Sequence, residues 1–368
     1  MRSLLKLLAV LFAFAGLALF AASRFLEGPE PLGPRDGLAL ADAKIWGYQL
    51  QRLKADLIPN EVELLVTDYS RDGTRAGVWT AEDIATLRRR PDGRPRIVLA
   101  YMSIGEAENY RGYWRPHWQA IAPGWIGPEN KDWKGNFAVR YWQPGWQKVI
   151  VNPAPSVIQR LGERWLPSMF PRPYLDLVLE AGFDGVYLDK VDGFEDWQSE
   201  RPEAADDMIA FVAAISRYGK ARRPGFLIVP QNGEALLEKR SYLAVIDGIA
   251  KEDLQYGANS DGTQNTPDDV ASAALALNLA IIAGLPVYQV EYVRDPALRL
   301  MIQKEAQRLG YRVLFANREL NLPPERVEQL PEAEALSIDA AKQGSGPIPT
   351  LSPADGQRAP GLAPVRVP

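Results

Sequence analysis

Five short apolar runs in this chain end on, or lead into, a carboxylate: Asp68, Glu106, Asp189, Glu252 and Glu291. More polar groups follow closely: Asp192 after Asp189, Asn232 and Glu234 after Pro230, and Asp253 after Glu252. Carboxylates gathered on one face suit hydrolysis of a glycosidic bond. That reaction needs one carboxylic acid to protonate the leaving oxygen and one carboxylate to act as nucleophile or base. Crowding also separates the pKa values of such acids, because like charges at short range resist joint ionisation.

Composition removes most rivals. The 368 residues include no cysteine and one histidine, His117. Thiol catalysis, disulfides, thiolate zinc sites and two-histidine metal sites within one chain are excluded. His117 is the only possible base partner for a serine and lies in the aromatic-rich connection after the third strand, which disfavours serine–histidine catalysis. Asp68, Asp189, Asp192 and Glu252 are oxygen ligands a hard cation would accept, but no calcium-loop spacing is present and no metal site is assigned. Neither a GxGxxG nor a P-loop occurs, so no nucleotide cofactor is expected. A net charge of -4 without a basic block argues against nucleic acid as a partner.

The elements that must position these acids repeat one pattern of apolar strand, polar turn and helix. Strands are expected at Ile45–Leu50, Glu63–Asp68, Arg96–Met102, Gly185–Asp189, Phe226–Pro230, Val245–Ala250, Pro286–Glu291 and Arg312–Phe315. Helices are expected at Thr80–Arg90, Tyr174–Ala181, about Ala204–Ala221, Glu234–Arg240, Pro267–Ala283 and Pro296–Leu309. Eight such units within about 280 residues fit an α/β fold of the closed (β/α)8 type, a TIM barrel. Its strand ends converge on one face, so acids distant in sequence become neighbours.

The connection after the third strand, Ala107 to about Leu166, is unusually long and holds seven of the ten tryptophans. Most of its rings should form a small core of their own. Two or three should border the cleft, where flat apolar faces suit sugar rings.

Flanking regions differ in character. Residues 1–24, with Arg2, Lys6 and the apolar run Leu7–Ala22, read as a cleaved export signal or an N-terminal anchor. Residues 25–43 form a linker, 44–322 the barrel, and 323–368 a Pro/Ala-rich disordered tail with nine of the 30 prolines. A secreted or periplasmic location follows, with membrane contact only if the first segment is retained.

Several stretches together resemble glycoside hydrolase family 114, the endo-α-1,4-polygalactosaminidase-like barrels, in its bacterial extracellular branch. They are Ile45–Gln49, Asp68-Tyr69-Ser70, Ala100–Glu108, Tyr141-Trp142, Gly185–Asp189, Pro230–Glu234 and Lys251–Asp253. The resemblance spans about Lys44 to Leu320. It implies an enzyme acting on an α-1,4-linked, galactosamine-rich exopolysaccharide, a cationic amino-sugar polymer included. It places the essential pair on Asp189 and Glu252. Their place on alternate strands and their side-chain lengths suggest Asp189 as nucleophile and Glu252 as acid/base, with retention of configuration, although the two roles could be reversed. Tyr48, Asp68, Tyr69, Glu106, Tyr141, Trp142, Asp192, Asn232, Glu234, Asp253 and Glu291 are the expected substrate-binding residues. A non-catalytic glycan-binding barrel in exopolysaccharide synthesis or export is the alternative.

Overall fold

The computed structural model describes residues 37–152, 161, 165 and 172–325. The expectations for residues 1–24 and for the tail from 326 onward lie outside the described residues. Among the described residues, no helix is long and apolar enough to cross a membrane.

Eight parallel strands alternate with helices, in two ladders. The first runs in the order β1 (Trp46–Tyr48), β2 (Leu64–Asp68), β3 (Ile97–Ser103), β7 (Gly185–Asp189), β8 (Leu227–Pro230). The second is β11 (Arg312–Phe315), β10 (Val287–Glu291), β9 (Ile249–Glu252). Between the ladders, Gln231 forms a parallel bridge with Ala250, and the Asn232 N–H donates to Ala250 O at 2.9 Å. On the other flank, Trp46 Nε1 donates to Arg312 O at 2.9 Å, and the Leu50 N–H to Leu320 O at 2.8 Å.

Alternation along the strands sorts side chains into two apolar layers. Leu64, Val66, Leu99, Tyr187, Val229, Ala250, Tyr288, Val290 and Leu314 share one cluster, which draws on both ladders. Their sequence neighbours Leu65, Val98, Ala100, Val186, Leu188, Ile228, Ile249 and Val287 belong to the other cluster, with the helices. Each such fully buried aliphatic side chain is worth about 1.5–3 kcal/mol of transfer free energy. Position parity therefore decides which way a strand-end residue faces.

The helices carry local stop and start signals. Helix α1 (Ala81–Leu87) begins with a Thr80–Asp83 capping box. Helix α3 (Tyr174–Ala181) ends at Gly182, whose φ of 92° is the left-handed cap that glycine tolerates. Helix α4 covers Ala204–Arg222, α6 Pro267–Ile282 and α7 Pro296–Leu309; Thr266 and Asp295 cap the last two, each followed by proline.

Two expected elements differ. The sixth strand is Ile249–Glu252 rather than Val245–Ala250. Asp247 instead turns the chain: its N–H donates to Ile228 O at 2.8 Å and its Oδ2 accepts from the Ile228 N–H at 2.9 Å. The strand thus starts later and carries Glu252 at its last position. The segment expected as one helix at Glu234–Arg240 is a 3-10 turn, Glu234–Glu238, followed by the short helix α5, Arg240–Leu243.

The long insert after β3 builds an antiparallel sheet, β4 (Glu106–Glu108), β6 (Asn136–Val139) and β5 (Ile126–Glu129), and helix α2 (Pro144–Ile150). Its rings pack mainly on one another. Trp118 meets Trp114 at 5.4 Å and Trp125 at 5.0 Å, both edge-to-face, and Trp125 meets Trp146 at 5.1 Å. Trp146 Nε1 donates to Ile104 O at 2.8 Å, which ties this core to the end of β3.

Candidate active site

Parity sets the site. Tyr48, Asp68, Tyr101, Asp189, Gln231, Glu252 and Tyr292 all continue the inward register of their strands, and all line one cleft of about 580 Å³. Beneath it lies an aromatic floor: Tyr48 contacts Trp46 at 6.2 Å, Tyr187 at 5.1 Å and Tyr101 at 6.5 Å between ring centres.

Asp189 ends β7. Its Oδ2 accepts from the Tyr101 hydroxyl at 2.5 Å, and its Oδ1 accepts from the Lys190 N–H at 2.7 Å and from Gln231 Nε2 at 3.1 Å. Glu252 ends β9. Its Oε1 accepts from Asn232 Nδ2 at 3.1 Å and its Oε2 from the Tyr292 hydroxyl at 3.0 Å. Asn232 is locked in turn, because its Oδ1 accepts from the Glu252 N–H at 3.2 Å. Each carboxylate is thus held by one tyrosine and one side-chain amide.

Burial raises both acids. Asp189 is pushed to about 6, with the Tyr101 and Lys190 hydrogen bonds opposing the rise. Glu252 is pushed to about 7, first by burial and then by the charges of Asp189 and Asp253. The two titrate as a pair, and Asp189 receives three donors to its charged form against two for Glu252. One ionised and one protonated carboxyl in the same cleft is the combination that glycoside cleavage requires.

A second group of acids forms one wall. Arg111, wholly buried, donates to Asp68 Oδ2 at 2.6 Å and to Glu108 through Nε at 2.6 Å and Nη2 at 3.2 Å. The Tyr110 hydroxyl also donates to Glu108. Asp68 is raised to about 6 by burial in spite of the arginine. Glu106 is held by Asn130 Nδ2 at 2.7 Å and Asn136 Nδ2 at 3.4 Å, both from the insert. Lys190 Nζ stands 3.9 Å from Glu106 and 4.0 Å from Asp192.

The backbone marks the same face. Among the described residues, the non-glycine residues with positive φ are Arg52, Lys190, Asn232, Asp253 and Leu320, and all but Asp253 line the cleft. Left-handed conformations cost non-glycine residues about 1–3 kcal/mol each and concentrate at functional sites. Gly105 allows one of them: a Cβ there would lie 2.1 Å from Lys190 O, in the turn that packs behind Asp189.

Of the residues singled out from sequence, Tyr48, Asp68, Glu106, Asp189, Asp192, Asn232 and Glu252 line this cleft. Six others do not. Tyr69 lies one position past Asp68 and turns outward, its hydroxyl donating to Gly73 O at 3.3 Å. Tyr141 is buried and donates to Ala204 O at 2.7 Å, while Trp142 packs edge-on against Trp197 at 5.5 Å. Glu234 pairs with Lys251 at 3.0 Å. Asp253 turns out of the strand register onto Arg318. Glu291 has the wrong parity: it is fully buried behind β10, accepting from the Gln255 N–H at 2.9 Å, the Tyr256 N–H at 3.3 Å and Gln289 Nε2 at 2.8 Å. It is raised to about 7 by burial, but it lies outside this cleft.

Among the insert's aromatics, Trp133, 55% exposed, and Tyr110 border the cleft. Trp114, Trp118 and Trp125 are taken up by the insert's own core. Sequence reasoning passed over Tyr101, Gln231, Tyr292, Arg111 and Arg318. For Tyr101 and Tyr292 the signal was present: each is in step with an inward residue two positions earlier, Leu99 and Val290.

An α/β domain with two burial-shifted carboxylates in one polar cleft has the equipment of a glycosidase. Comparison with known proteins agrees. Residues 33–335 match glycoside-hydrolase family GH114, and the chain belongs to that family; it is a glycoside hydrolase. An uncharacterized protein of Methanocaldococcus jannaschii is 38% identical over 260 residues, 68% of this chain and 67% of the relative. An uncharacterized protein of Deinococcus radiodurans is 33% identical over 278 residues, 74% of this chain and 80% of the relative. In fold, the chain is similar to the glycoside hydrolase domain of PelA from Pseudomonas aeruginosa, with a TM-score of 0.54 at 16% identity, covering 77% of this chain and 98% of that domain.

Proposed function

We propose that this chain hydrolyses an α-1,4-linked, galactosamine-rich polysaccharide through Asp189 and Glu252, with retention of configuration. The observation that carries this reading is the differently held pair on β7 and β9. Asp189 receives three donors, one of them a backbone N–H, which favours its ionised form and fixes its position. That suits the nucleophile. Glu252 has fewer donors to its ionised form and reaches out on a longer side chain, which suits the group that acts first as acid and then as base.

The lining favours a cationic chain. It carries nine carboxylates, Asp68, Asp72, Glu106, Glu108, Asp132, Asp189, Asp192, Glu252 and Glu319, against five cationic side chains. Arg111 and Arg318 among the latter are already committed to acids. An excess of negative charge in a walled cleft attracts amino-sugar polymers and raises their local concentration. We also take the two ladders, bridged at Gln231–Ala250 and approaching at Trp46–Arg312, as the wall of a (β/α)8 barrel whose C-terminal mouth is this cleft. Export from the cytoplasm, suggested by Leu7–Ala22, would bring such an enzyme to its polymer.

Release of reducing oligosaccharides from an α-1,4-galactosaminoglycan, with Asp189→Asn as control, is the direct test. Release by the wild type and none by the variant supports the reading. Binding of the polymer without cleavage would favour a glycan-binding protein instead.

A further inference from the structure

Arg318 lies in the segment after β11, and its guanidinium reaches across β10 to the segment after β9. Nη1 and Nη2 donate to Asp253 Oδ2 and Oδ1, both at 2.9 Å, and Nε stands 2.5 Å from Asp261. The planar group lies 4.3 Å from the centre of the Tyr292 ring. Tyr292 in turn donates its hydroxyl to Glu252 Oε2 at 3.0 Å. Asp253 follows Glu252 directly and holds a left-handed φ of 51°. One planar cation thus fixes both the ring that hydrogen-bonds Glu252 and the strained residue that follows it. An arginine is suited to this, because its fork and its flat face act at the same time.

We propose that Arg318 is a positioning residue for Glu252, acting through Tyr292 and Asp253. It need not touch the reacting atoms. Stacked on the Tyr292 ring, it keeps the hydroxyl aimed at Oε2. Paired with Asp253, it offsets a negative charge beside Glu252 that would otherwise hold the proton on more tightly. The proposal rests on the reading of Glu252 as acid/base for its consequence in catalysis, but its effect on Glu252 itself does not.

The surroundings of Glu252 set the sign of each change. Asp189 and Tyr187 face it from β7, Asp192 from beyond that strand, and Tyr48 from β1. Asn232 approaches from the end of β8 and Tyr292 from the end of β10. Lys251 beside it is engaged with Glu234. Losing the Tyr292 hydroxyl removes a donor to the ionised form, so Glu252 should titrate higher. Losing Arg318 uncovers Asp253, again raising it. Losing the Asp253 charge removes repulsion and frees the arginine, so Glu252 should titrate lower.

The test is a carboxyl-carbon NMR titration of Glu252 in the full chain without substrate, its signal assigned by loss in Glu252→Gln. Tyr292→Phe and Arg318→Met should each raise the midpoint, by about one unit for the arginine. Asp253→Asn should lower it, and Arg318→Lys should stay near wild type in charge while losing the stacking. In parallel, Arg318→Met should lower kcat roughly tenfold to a hundredfold with little change in KM. Opposite shifts for Arg318→Met and Asp253→Asn would not arise from general loosening of the fold. Shifts of the same sign, an unmoved midpoint in Arg318→Met, or a change confined to KM would overturn the proposal. If the wild type cleaves no galactosaminoglycan and the midpoints still move as stated, the proposed function fails and this inference stands.

Discussion

The two carboxylates of the cleft are built alike and held differently. Each sits at the end of a parallel strand, with a tyrosine hydroxyl on one oxygen and an amide on another. Asp189 has a backbone N–H in addition, and its tyrosine, Tyr101, lies inside β3 with Arg111 5.9 Å from its ring. Among the described residues Glu252 has no such third donor, and its tyrosine lies just past β10. The difference lies in anchoring. One acid is fixed by the backbone of the turn that follows its strand, which favours its charged form; the other hangs from side chains only. On the proposed reading, this difference in anchoring is what suits one acid to act as nucleophile and the other as proton donor.

The largest effect that would break this contrast comes from the acids themselves. Asp189→Asn should abolish turnover, a loss on the order of 10⁴-fold or more, since both chemical steps use it. Glu252→Gln should retain measurable cleavage of substrates with good leaving groups, because protonation is then less needed. Equal losses on activated and natural substrates would erase the assigned difference.

Next in size is the turn behind Asp189. Gly105→Ala places a Cβ where Lys190 O now sits, so the left-handed Lys190 must move and Asp189 with it. A loss of roughly a hundredfold in kcat is expected, as for an ångström-scale misplacement of a reacting group. Wild-type kcat in a folded Gly105→Ala protein would show that the backbone anchor does not matter.

The pH profile sharpens the contrast further. Activity should rise as Asp189 ionises, near 6, and fall as Glu252 ionises, near 7. Tyr101→Phe removes a donor to the charged aspartate, so its pKa should go up and the acidic limb should move to higher pH. Tyr292→Phe should move the basic limb to higher pH instead. If both variants shifted the same limb, the two tyrosines would not be tied to separate acids.

Smaller effects are expected away from the pair. Trp133→Ala should weaken long chains by a few-fold more than short ones, since remote contacts supply binding energy used at the reacting centre. Uniform loss on all lengths would place Trp133 in the fold rather than the cleft. Glu291→Gln should cost about 1–3 kcal/mol of stability, read as a lower midpoint of urea unfolding, through mismatched buried donors. Its effect on KM should be slight, because Glu291 faces away from the substrate.

The strands and most helices were legible because apolar runs between turn residues report burial directly. All eight expected strands are present, and only the sixth is displaced, by the turn that Asp247 makes with Ile228. Asp189 and Glu252 were legible as acids closing such runs. Facing direction was harder to read, because a single residue step reverses it. Glu291 and Tyr292 are adjacent, yet the glutamate closes a loop behind β10 and the tyrosine reaches Glu252. Tyr69 and Asp68 differ in the same way. The long-range pairs of Arg111 and Arg318 were hidden for another reason: Asp68 and Asp253 lie 43 and 65 residues away, and no local pattern announces such pairs, although Arg111 also meets Glu108 three residues before it.

The central claim is that Asp189 and Glu252 together cleave the glycosidic bond by way of a glycosyl-enzyme. Proton NMR of the first product formed from an α-1,4-galactosaminoglycan oligomer tests it most directly. An α anomer appearing first, and no product with Asp189→Asn, is the predicted result. A β anomer appearing first would mean direct attack by water and would remove Asp189 as nucleophile.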